Sequence, residues 1–287
     1  MTNGFVSGTA LKRIVLDAFK RIEINLPPIE IQEDIVSKIK PVDDKIKVNT
    51  MLISELKKYS ELIFRKWFID FNFPNKEGKP YKENCGQMTE VNGKMLPNGW
   101  NYEFITSLGK VIGGGTPSTS NRKYFTEFGI PWITPKDLSM TNNKYIVRGA
   151  IDISEEGLKN SSANLMPKGT VLMSSRAPIG YLGIAKNEVT TNQGFKSIVP
   201  NHDVGSEFVY YTLKRLMPKI EMSGSGSTFK EVSKEMVSKL KVVKPEREIL
   251  HKFQQTVRAL SDKVALLEEE NERLVEIRDL LTRKLIG

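Results

Sequence analysis

The chain has 287 residues, 39% hydrophobic and 27% charged, with a formal net charge of +9. That is enough apolar side chain to exclude bulk disorder and enough length for one large domain or two ordinary ones. No apolar run reaches the length of a membrane span, and Met1-Thr2-Asn3-Gly4 does not start a signal peptide, so a cytoplasmic protein without membrane attachment is expected. One cysteine (Cys85) and two histidines (His202, His251) exclude a disulfide framework and a Cys/His metal cluster.

In chain order, the first 26 residues already repeat something. Gly8-Thr9-Ala10-Leu11-Lys12 lies over Gly226-Ser227-Thr228-Phe229-Lys230, and the offset of 218 holds without a gap to the end of the chain. Pro27 lies over Pro245, Ile31 over Ile249, Ile35 over Phe253 and Arg65-Lys66 over Arg283-Lys284. Each copy has a short strand-like run (Arg21 to Leu26, Lys239 to Val243), a proline break, then a helical pattern (Glu30 to Phe68, Glu246 to Ile286). Pro41 predicts a kink or a second start in the first helix.

Both helices carry apolar positions in alternating steps of four and three, which is the seam of a coiled coil. In the first these are Val42, Ile46, Asn49, Ile53, Leu56, Ser60, Ile63 and Trp67. In the second they are Leu260, Val264, Leu267, Asn271, Leu274, Arg278, Leu281 and Leu285. The polar members lower stability and can set register. Two amphipathic helices lying on a globular core would be the plainer reading, but densely charged outer faces such as Glu268-Glu269-Glu270 favour a rod.

Between the copies, residues 71–96 cluster Asn, Gly, Pro and Lys and read as a linker with turns. Residues 97–243 hold short β-rich runs (Gly129 to Ile133, Gly169 to Met173, Ile179 to Ile184) and two helices, Glu207 to Leu216 and Glu231 to Leu240. The expected segments are therefore 1–26 (the repeated end of a domain), 27–70 (first long helix), 71–96 (linker), 97–243 (mixed α+β domain) and 244–287 (second long helix). A chain that leaves one helix and returns to the other brings the two side by side, antiparallel.

Net charge is +3 over residues 1–96, +6 over 97–243 and zero over 244–287. A basic middle segment suits a polyanion, though charge alone does not decide. Enzyme motifs are missing. The one Pro-Pro, in Leu26-Pro27-Pro28-Ile29, has the wrong neighbours for a methyltransferase, and Gly113-Gly114-Gly115-Thr116 lacks the Gly-Lys-Ser/Thr ending of a phosphate loop. Asp43-Asp44 with Glu55-Leu56-Lys57 hints at a nuclease but sits on the charged flanks of the seam, where solvated helix surface explains it better.

Five polar clusters remain in the middle segment. They are Gly113 to Tyr124, Thr134 to Asp137, Ser174 to Gly180, Thr190 to Lys196 and Ser223 to Lys230. Hydroxyls, backbone N–H groups and cations contact phosphates, while amides and arginine read base edges. Each cluster alone is a plausible surface turn; five in one basic segment suggest a reading surface. The DNA-contact candidates are Thr116, Ser118, Arg122, Lys123, Lys136, Arg176, Asn192, Gln193, Lys196, Ser227 and Lys230.

The ordered set Pro97-x-Gly99-Trp100, Gly114-Gly115-Thr116-Pro117-Ser118, Ile130-Pro131-Trp132-Ile133-Thr134-Pro135, Gly169 to Gly180, Thr191-Asn192-Gln193-Gly194-Phe195 and Gly226-Ser227-Thr228 resembles the target recognition domain of type I restriction-modification specificity subunits. The resemblance covers essentially the whole chain. It implies a non-catalytic subunit that reads one half of a bipartite double-stranded DNA target. It implies antiparallel helices that space the half-sites and hold methyltransferase subunits, which carry S-adenosylmethionine, together with a motor-nuclease restriction subunit. The family's usual chain has two recognition domains. Here one whole domain lies between two helices, so a half-length or truncated form completed by a second half-specificity chain is expected, either as a homodimer or with a different half-subunit. A coiled-coil scaffold whose central domain binds protein remains the alternative.

Overall fold

A computed structural model describes residues 6–7, 13–14, 16–23, 25–224 and 230–286. The chain divides into two compact units, residues 1–47 with 273–287, and residues 48–272. Elements run β1 (Val6–Ser7), β2 (Arg13–Ile14), α1 (Leu16–Lys20), α2 (Ile29–Phe68), β3 (Met88–Val91), β4 (Lys94–Pro97), β5 (Asn101–Phe104) and β6 (Gly109–Gly113). Next come β7 (Phe125–Thr126), β8 (Ile130–Ile133), α3 (Pro135–Ser139), β9 (Tyr145–Ile146), β10 (Ile151–Ile153) and α4 (Glu155–Lys159). The remainder is β11 (Val171–Ser175), β12 (Ile179–Ala185), β13 (Thr190–Thr191), β14 (Lys196–Pro200), α5 (Ser206–Ser223), α6 (Lys234–Ser238), β15 (Lys241–Lys244) and α7 (Arg247–Ile286).

In the larger unit, a five-stranded sheet has the order β6-β14-β11-β12-β9 and a four-stranded sheet the order β13-β8-β10-β7. β11 is buried along its whole length, as its Val-Leu-Met-Ser-Ser sequence and central place demand. The main core joins this sheet to the helices. Phe64, Trp67 and Phe68 at the end of α2 meet Trp100, Phe208 of α5 and Phe253 of α7, with the Phe68–Phe208 ring centroids 4.7 Å apart. Farther along, Ile53, Val264 and Leu267 form a second buried cluster with Leu56 packed against it. Asn49 donates to Asn271 Oδ1 at 3.0 Å. Rising numbers on α2 meet falling numbers on α7, so the two run antiparallel, and the seam expected from sequence is the contact line. Ile63 packs on the main core, and Leu260 is half-buried.

In the smaller unit, β1 and β2 pair antiparallel. Val42, Ile46, Leu274 and Leu281 are half-buried, and Arg278 lies 3.6 Å from Asp43. The other acidic groups of the nuclease hint are similarly engaged, Asp44 with Lys40 at 2.7 Å and Glu55 with Lys58 at 2.7 Å.

The repeat is visible in the elements. α1 and α6, and α2 and α7, begin and end at the same 218-residue offset. Their environments differ. Val237 of α6 is fully buried, whereas its counterpart Phe19 is 58% exposed. The strand-like run differs likewise. Lys241–Lys244 pairs with Asn101–Phe104, but none of the described residues between Arg21 and Leu26 is in a strand. A strand is made by its partner, and among the described residues nothing pairs there.

Other expectations shift. α2 runs uninterrupted through Pro41, so no second start occurs. The carbonyl of Ser37, which loses its N–H donor, belongs to an exposed residue. The helix expected at Glu207 to Leu216 extends to Ser223. The one expected at Glu231 to Leu240 shrinks to Lys234–Ser238, because Ser233 is its N-cap, accepting from Met236 N at 3.1 Å. Residues 71–96 are not a plain linker. They contain β3 and most of β4, and Phe73 stacks on Trp100 with centroids 5.1 Å apart. Among the described residues no helix is long and apolar enough to cross a membrane.

Candidate nucleic-acid interface

Segments far apart in sequence meet on one face of the larger unit. Gly115 N–H donates to Thr191 O at 2.9 Å, and the Thr116 hydroxyl donates to Gln193 Oε1. Asn192 N–H donates to Ile133 O at 3.0 Å, just before the α3 cap. Ser175 N–H donates to Gly194 O at 2.7 Å, and Val232 N–H to Ser175 O at 3.0 Å. Three of the five polar clusters, the residue just before a fourth, and Val232 ahead of α6 are thus tied together by backbone hydrogen bonds.

Glycine makes this approach possible at Gly114. A Cβ there would stand 1.9 Å from Asn192 O and 2.4 Å from Thr191 Oγ1. Gly194 lies at the junction, where a Cβ would come within 3.1 Å of Pro135 Cγ and 3.5 Å of Arg176 Cγ. The Asn192 side chain closes its own loop, accepting from Gly194 N–H at 2.9 Å. α3 opens with a capping box, in which Thr134 Oγ1 accepts from Asp137 N–H while Asp137 Oδ2 accepts from Thr134 N–H at 2.7 Å. Lys136, in the first turn of this helix, is exposed.

Charge on this face is balanced by a residue outside the sequence-derived candidates. Glu231 lies 3.5 Å from Arg176 and 3.2 Å from Lys196. The Lys196 side chain is only 12% exposed and also donates to Ser175 Oγ at 3.2 Å. The helical pattern from Glu231 to Leu240 hides this carboxylate by placing it at a helix start. Ser233, a residue type that favours the N-cap, is the signal that leaves Glu231 ahead of the helix.

Of the contact candidates, Thr116, Arg176, Asn192, Gln193 and Lys196 come together, and Lys136 is an exposed residue directly after Pro135, which borders Gly194. Arg122 and Lys123 are exposed and form a 3-10 turn, Arg122–Tyr124, capped by Asn121 and held where Ser154 Oγ donates to the Lys123 carbonyl at 2.7 Å. Ser118 bonds its neighbour Ser120 at 2.8 Å. Lys230 is exposed, with its Cβ 3.3 Å from the Cβ position of Gly224. Ser227 lies outside the described residues.

Residues 2–58 and 97–277 match the family described as "Type I restriction modification DNA specificity domain". The chain belongs to that family. The gap in the match falls on the end of α2 and the segment carrying the β3–β4 hairpin. Among relatives, the chain is 39% identical over 193 residues to the type I restriction enzyme MjaIX specificity subunit of Methanocaldococcus jannaschii, covering 67% of this chain and 44% of that protein. It is 26% identical to the HindI specificity subunit of Haemophilus influenzae, covering 98% and 72%. The chain therefore spans less than half the length of the first of these family members. A crystal structure of a type I restriction-modification S subunit from M. genitalium shares the fold, with a TM-score of 0.61 at 19% identity, over 98% of this chain and 68% of that one.

Proposed function

We propose that this chain is a non-catalytic DNA-specificity subunit of a type I restriction-modification complex, acting in the cytoplasm. One observation carries the reading. Clusters at Gly115–Thr116, Thr134–Lys136, Ser175–Arg176 and Asn192–Lys196 converge on one loop face that offers cations, amides and hydroxyls. Such a set combines phosphate contact with base reading, as duplex DNA requires. The antiparallel helices then serve as the spacer and as the seat for methyltransferase and restriction subunits. S-adenosylmethionine belongs to the methyltransferase, not to this chain. A recognition domain of this size reads a few base pairs, too few for specificity in a genome, so a second recognition domain, here proposed to come from a second copy of the chain, completes an interrupted target.

The test is duplex binding across a salt series, followed by methylation mapping with the methyltransferase subunit present. The expected result is affinity that falls steeply with salt and adenine methylation at one interrupted motif. Salt-insensitive binding without a motif overturns the proposal. Native mass measurement counts the copies, and one copy active on a short contiguous site removes the two-fold arrangement.

A further inference from the structure

The Arg176–Glu231 pair is unusual for a surface meant to hold phosphate. A carboxylate there repels the DNA backbone and competes for two of its cations. Its place is fixed by the backbone around it. The neighbouring Val232 N–H is bound to Ser175 O at 3.0 Å, and Ser175 N–H to Gly194 O at 2.7 Å. Glu231 and Arg176 therefore stand side by side on hydrogen-bonded backbone, both about one-third exposed. Lys196, largely covered, bonds the other carboxylate oxygen and leaves Arg176 as the outer cation.

We infer that Arg176 and Glu231 together read one G·C base pair in the major groove, with Glu231 a specificity-determining residue. Guanine presents two acceptors there, N7 and O6, and its partner cytosine presents one donor, the N4 amino group. A guanidinium beside a carboxylate offers the complementary pattern, two N–H donors and then an acceptor. An A·T pair places a donor at adenine N6 against the arginine and an acceptor at thymine O4 against the carboxylate, and both are repulsive. On backbone alone, Arg176 would have to break its contact with Glu231 and the carboxylate would face phosphate, so wrong registers are disfavoured as well. This inference rests on the DNA-specificity reading above.

The experiment compares the full chain with Glu231→Gln and Arg176→Lys, each with the methyltransferase subunit, by methylation mapping of genomic DNA. A salt series on a short random-sequence duplex runs alongside. Glu231→Gln keeps the shape but removes the charge that excludes A·T and restrains Arg176. The expected result is one G·C position of the motif becoming degenerate, with discrimination there falling about tenfold or more. Random-duplex binding tightens, and its salt slope steepens by about one released contact. Arg176→Lys keeps a cation beside Glu231 but loses the two-pronged donor, and is expected to relax the same position. A parental chain that yields no motif defeats the DNA-specificity reading itself. A parental motif left unchanged in both variants, or relaxed only at an A·T position, overturns this inference and leaves that reading standing.

Discussion

Lys144 and Glu207 form an ion pair that is almost wholly out of water, at the place where the α+β domain meets the helices of its own unit. The same lysine's backbone N–H donates to Glu268 Oε1 at 2.7 Å, Tyr145 N–H donates to Glu268 Oε2 at 3.0 Å, and Lys57 reaches Glu268 at 2.7 Å. Glu268 is itself buried, so one carboxylate of α7 holds the β9 edge and α2 at once. This joint ties the α+β domain to both helices within the larger unit.

Breaking that pair is expected to be costly. Lys144→Met leaves Glu207 buried beside Tyr145 without its cation, which costs about 3–5 kcal/mol. The double variant Lys144→Met with Glu207→Leu is expected to recover most of the loss, since no buried charge is left over. Denaturant midpoints of the parent, both singles and the double measure this, and a double variant as weak as the single argues against a charge-burial cause.

Alkali is expected to destabilise the joint. Burial, reinforced by Glu207, raises the phenols of Tyr145, Tyr210 and Tyr211 above their ordinary value of 10.0. A raised folded value means stability that is intact below pH 10 and lost as pH rises past it. Burial lowers Lys144 despite Glu207, which works the other way, adding stability between its folded value and 10.5. Three groups outweigh one, so melting temperature is expected to fall from about pH 10 upward. Tyr145→Phe, already less stable at pH 8, is expected to fall less steeply; an equal slope removes Tyr145 from the account.

The helix seam gives a graded pair. Leu267 is buried against Ile53 and Val264, while Leu56 keeps part of its surface in water. Leu267→Asp is expected to cost about 3 kcal/mol or more, and Leu56→Asp clearly less. Chemical denaturation of both, compared at one pH, checks the order.

At the candidate interface, Gly114→Ala must push apart the Gly114 and Asn192 loops, whereas nothing lies within 4 Å of a Cβ at Gly113. Gly114→Ala is expected to weaken duplex binding about tenfold by displacing Thr116 and Gln193. Gly113→Ala is expected to leave it unchanged. Fluorescence anisotropy on one labelled duplex separates the two.

The periodic features of this protein are written in its residue order. The 218-residue offset, the seam running through Asn49, Ile53, Val264 and Asn271, and the starts of both long helices follow from local spacing and local prolines, so they are legible one residue after another. The polar clusters are legible as a set of polar turns. Which of them meet is settled by the folded chain. Thr116 finds Gln193 and Arg176 finds Glu231 because segments distant in the chain hydrogen-bond side by side, while the Lys123 carbonyl is held by Ser154. The same holds for strands and burial. Lys241–Lys244 is a strand because Asn101–Phe104 lies beside it, and Val237 is buried where Phe19 is exposed, although the repeat aligns them. Helical hydrogen bonds close within four residues and so are written locally. Pairing, burial and ion pairing depend on what the rest of the chain brings to that place.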